Sequence, residues 1–196
     1  MYMRLTCALT LCCLLTVGSV AAQARSPETA PCLQAGSERL ALEILRRVVE
    51  RNVLSAADAM PADKYGFAPT DGEFKGVRTF GRELKHLAAT NYILAAAALG
   101  VDPPADAGDE AGPDSVVSKT QILSYTRASF AELQRAVDRI GKPGATARTS
   151  PISPLQGDRA TPLALTVEAL IHAYDHYGQM VEYLRMNGII PPASRP

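Results

Sequence analysis

Apolar positions recur at intervals of three and four residues over four long stretches, separated by runs rich in proline and glycine. No stretch alternates with period two, so helices are expected and strands are not. The first helix is predicted from about Ser37 to Ala59, with Leu40, Ala41, Ile44, Leu45, Val48 and Val49 as its apolar stripe and Pro61 as its stop. The second runs from about Gly76 to Leu99, with Phe80, Leu84, Leu87 and Leu94 in line, and ends at Gly100, Pro103 and Pro104. An acidic segment follows, read as a flexible linker. Ser118 with Gln121 three residues later is a capping-box pattern, and it opens a third helix through Ile122, Phe130, Leu133, Val137 and Ile140 to Gly141. Thr161-Pro162 places a cap before a proline at the first helical position, opening a fourth helix that ends at Asn187-Gly188.

Matched helix lengths of roughly 35 Å favour an all-α four-helix bundle. The connections, Met60 to Lys75, Val101 to Val117 and Lys142 to Thr161, are long enough for crossovers, so the order of helices around the bundle stays open. Composition narrows the class further. The chain has 196 residues, 47% of them hydrophobic, with 20 basic and 20 acidic side chains. That balance excludes a disordered chain and gives no electrostatic footprint for nucleic acid.

Residues 1–24 carry one charge, Arg4, then an apolar run from Leu5 to Val20 and the small-residue ending Ala22-Gln23-Ala24. This is the pattern of a secretory signal peptide cleaved after Ala24, which leaves a bundle domain at residues 25–196 in the periplasm or secreted, without stable membrane insertion. Cys7, Cys12 and Cys13 depart with it; Cys32 remains alone, so the mature chain has no internal disulfide.

The chemistry is concentrated in three histidines. His172 and His176 lie four apart, one turn on the same face of the fourth helix, and His86 lies near the middle of the second. Three imidazoles at mid-bundle with no shared partner would leave several hydrogen bonds unmet, whereas one divalent metal satisfies all three. A set of three neutral nitrogens leaves positions open, the composition of a catalytic site, and suits Zn²⁺ first, with Ni²⁺, Fe²⁺ or Mn²⁺ as alternatives. Glu168, one turn before His172, is a candidate base or fourth ligand, and Gln179, Tyr183, Asn91 and Glu83 are candidates to orient ligands or substrate. The competing reading is a metal-binding or ligand-binding bundle without turnover.

The run from His172-Ala173-Tyr174-Asp175-His176 through Asn187-Gly188 to Pro191-Pro192 resembles the last helix of the DinB-like family. Met60-Pro61 to Pro69, followed by Arg78-Thr79-Phe80-Gly81-Arg82-Glu83-Leu84-Lys85-His86-Leu87-Ala88, is similar to that family's first loop and second helix. The resemblance implies a four-helix bundle in which His86, His172 and His176 bind a divalent metal. It also implies a small-molecule substrate, hydrolase-like or thiol-transferase-like chemistry, no DNA binding, and homodimers among relatives. Export weighs against the thiol reading, because small cellular thiols are scarce outside the cytoplasm.

Overall fold

Local capping chemistry decides where the helices begin. The computed structural model describes residues 36–107 and 109–196, which contain four long helices, α1 (Ser37–Ala59), α2 (Phe80–Leu99), α3 (Lys119–Arg139) and α4 (Pro162–Met186), and no strand. The signal-like segment and Cys32 lie outside the described residues. Thr79, Ser118 and Thr161 each accept a hydrogen bond from the backbone N–H three residues on, and Ser118 and Gln121 complete the capping box.

Helix α2 starts four residues later than the periodicity predicts. Gly76 turns the chain at φ 80°, and Thr79 is the extended cap. The first free amides of α2 are then met by the preceding connection: Phe80 N donates to Phe67 O at 2.8 Å and Gly81 N to Tyr65 O at 2.9 Å. At its other end Gly100 adopts φ 73°, and Arg148 N from the α3–α4 connection donates to Ala97 O at 2.8 Å.

Helix α2 packs on α3 and α4, α1 packs on α4 and α3, and α1 lies diagonally across from α2. The order around the bundle is therefore α1, α3, α2, α4. The long connections do cross: α1 to α2 spans the diagonal, and α3 meets α4 only sparingly. Nearly every residue of α2 is buried, which explains its run of alanines from Ala95 to Ala98, where small side chains let its neighbours approach closely. Phe80, Leu84, Leu87, Leu94, Phe130, Leu133, Leu165, Met180 and Leu184 fill the centre.

Helix α1 departs from expectation. Its inward face is Leu42, Arg46, Val49, Val53 and Ala56, while Leu40, Ile44 and Leu45 are more than half exposed, at 55%, 55% and 52%. The cause is a buried cation. Arg46 reaches Gln134 Oε1 and Glu50 Oε2, each at 2.6 Å, and this pairing lets it occupy a core position and turns the apolar stripe outwards. Leu45 and Val48 then line an apolar surface groove of about 300 Å³ with Val167, Leu170, Ile171 and Tyr174 of α4. No described helix is long and apolar enough to cross a membrane.

Candidate metal centre

Because α2 and α4 are neighbours, His86 on one faces His172 and His176 on the other. Their nitrogens converge: His172 Nε2 lies 3.2 Å from His86 Nε2 and 2.9 Å from His176 Nε2. His86 and His176 are buried and His172 is half-buried.

The outer nitrogens fix the protons. His86 Nδ1 lies 3.0 Å from the backbone carbonyl of Glu110, and a carbonyl only accepts, so this nitrogen carries the hydrogen. His176 Nδ1 is paired with the buried carboxylate of Glu83 and donates to it in the same way. In the neutral rings both Nε2 atoms are then bare lone pairs aimed at the centre. The third ring cannot balance the set. His172 Nδ1 is buried with no partner, so a proton on either of its nitrogens leaves an acceptor or a donor unmet. A cation at the meeting point of the three Nε2 atoms removes the conflict, and the donor set fits a borderline divalent metal. Ligand histidines whose second nitrogen is tied to a carboxylate or carbonyl are the usual support for such a site.

Electrostatics favour the neutral rings that ligation needs. Burial pushes the His172 pKa down to about 3, helped by the neighbouring imidazoles of His176 and His86 and by the Arg78 guanidinium. Burial also lowers His86, opposed by its bond to the Glu110 carbonyl.

Among the orienting candidates, Glu83 meets the centre through His176. Gln179 Nε2 lies 3.4 Å from His176 Nδ1 and donates to Asp175 at 3.1 Å. Tyr183 works at one remove, its hydroxyl donating to Arg78 O at 3.0 Å. Asn91 is turned towards α3, where it donates to Ser129 Oγ at 3.2 Å. Glu168 is engaged elsewhere, accepting the Ser153 hydroxyl at 2.6 Å and so tying the α3–α4 connection to α4.

Two contributors were not legible in sequence. The acidic stretch read as a flexible linker folds back on α2, where Glu110 offers its carbonyl to His86 and Pro113 O accepts from Lys85 Nζ at 2.7 Å. Glu110 does this at φ 75°, an uncommon conformation for a residue with a Cβ, and no side-chain signature announces it. The other is Arg78, whose charge is felt by His86 and His172 although it precedes the helix.

A four-helix bundle with a three-histidine cluster between two adjacent helices defines a class of candidate metal-centre proteins. The model of the DinB superfamily matches residues 46–180, more than half of the chain, and the protein belongs to that family. A solved structure of a candidate DinB family member from Exiguobacterium sibiricum 255-15 shares the fold, with a TM-score of 0.57 at 20% sequence identity, covering 77% of this chain and 92% of that one. No curated protein matches.

Proposed function

We propose that this protein is an exported metal-dependent enzyme acting on a small molecule, with a divalent metal, zinc foremost, held by His86, His172 and His176. The observation that carries this reading is the convergence of three Nε2 atoms, two of them left as lone pairs by partners on the opposite side of the ring. A metal bound there supplies Lewis acidity and lowers the pKa of groups it binds. The chain does the rest. Glu83 and the Glu110 carbonyl hold the His176 and His86 rings at fixed angles, and the half-buried His172 leaves one side accessible.

A cleft of about 330 Å³ opens beside His86, which favours turnover over closed structural binding. Hydrolysis fits an exported enzyme better than thiol transfer. We further propose that residues 1–24 are the signal for export, and that two copies meet through the apolar groove of α1 and α4, whose lining carries no charged side chain.

The test is metal content by plasma mass spectrometry on untagged protein purified without chelator. About one transition-metal ion per chain, lost in His172→Ala, is expected. No metal after reconstitution with zinc and nickel would overturn the reading.

A further inference from the structure

Three cations stand beside the histidine cluster without a carboxylate in ion-pair reach. The cleft next to His86 is walled by Arg78, Arg82, Lys85, Ala111 and Asp114. None of the three cations takes part in an ion pair of the described residues, although Arg39, Arg46, Arg47, Arg135, Arg148 and Arg185 all do. Lys85 donates to a neutral carbonyl, that of Pro113, which leaves its charge uncompensated. The nearby acid on α2, Glu83, is paired with His176 and forms no ion pair with these cations. Asp114 is the single carboxylate among the lining residues.

We propose that this cleft is the binding site for the carboxylate or phosphate of an anionic small-molecule substrate, held by Arg78, Arg82 and Lys85 beside the histidine centre. The proposal rests on the metal-centre reading for what happens to that substrate, but not for its binding. Arg82 and Lys85, three apart, share one side of the first turns of α2, and Arg78, two residues before the helix, lines the same cleft. Arg78 itself is placed by the neighbouring helix, because the Tyr183 hydroxyl of α4 donates to its carbonyl. Guanidinium groups grip carboxylate and phosphate oxygens in pairs, and an ammonium adds a point charge.

The cleft does not end at the cations. A second one, of about 440 Å³, shares Arg82, Lys85 and Asp114 and continues between Tyr65, Val116, Val117 and Ile122. A charged group on the arginines therefore places an apolar body against this wall. Both spaces are small, which selects an organic anion over a polymer.

The experiment titrates untagged protein in low-salt zwitterionic buffer with two probes, inorganic phosphate and benzoate, by calorimetry. Each titration is run on chelator-treated and on zinc-loaded protein, with zinc affinity measured alongside. We expect at least one probe to bind chelator-treated protein, the Arg78→Ala/Arg82→Ala double variant, altered only at exposed positions, to bind it about tenfold or more weakly, and Arg82→Ala alone to weaken it about threefold or more with zinc affinity unchanged. The tighter probe names the anionic group. Asp114→Asn, which removes the opposing charge, should tighten binding of the same probe several-fold. Binding that appears only with zinc and is indifferent to the arginines, or no binding of either probe in any state, would overturn the proposal. Protein that takes up no zinc yet binds the probe through its arginines would sink the metal reading and leave the anion site standing.

Discussion

Glu83 has 1% of its surface exposed, and a carboxylate so placed is tolerated because the His176 imidazole faces it. Removing that charge while keeping the shape separates support of the ring from packing. Glu83→Gln is expected to fold and to bind zinc about 10- to 100-fold more weakly, as competition with a chromophoric chelator would show. His172 yields a second prediction. Unfolded, its imidazole takes a proton near pH 6.5, and folded only near 3, so between these values the unfolded state binds more protons and stability falls as pH falls. The melting temperature of chelator-treated protein should decline from about pH 7 to about pH 5, and His172→Gln should flatten that decline. The three histidines were legible in sequence because imidazoles are few and helical spacing fixes which side they share. Glu83, three residues before His86, was legible only as one of several orienting groups, because the choice among them depends on which helix faces α2.

Caps were the best-read feature of the elements, since a Thr or Ser hydroxyl acts on amides two or three residues away and needs no tertiary partner. Ser118→Ala removes an oxygen that serves the Gln121 amide, and should cost about 1 kcal/mol in urea denaturation. Gly100 is a more severe site. A Cβ there would stand 2.7 Å from Thr146 O, on a backbone at φ 73°, so Gly100→Ala should cost more than the loss of the cap and should loosen the α3–α4 connection. The inward face of α1 was misread for the opposite reason. Periodicity recognises an apolar stripe and assigns it to the core, but Arg46 is balanced by Glu50 and bonded to the amide oxygen of Gln134, which lies 88 residues away in sequence. The i,i+4 partner Glu50 is in α1 itself, but the bond to Gln134 that seats Arg46 against α3 is not recorded there.

For the whole molecule, connection lengths permitted crossovers without choosing an order, and the order emerges only from packing, with α1 and α2 on opposite corners. This arrangement turns the α1–α4 groove outwards. Ile171, 66% exposed, lies in it, and if two copies meet there, Ile171→Asp should convert a dimer to a monomer in light scattering; a wild-type monomer at micromolar concentration would refute the assembly. The segment between α2 and α3 bears on heredity as much as on structure. His86 is steadied by a main-chain oxygen of Glu110, an atom that every residue type supplies, while the Glu110 side chain adds a bond from Thr90 Oγ1 at 3.3 Å. What the centre demands of this segment is a length as well: one residue gained or lost between Leu99 and Ser118 would move the carbonyl off the imidazole, and lineages that vary residue 110 should keep the count.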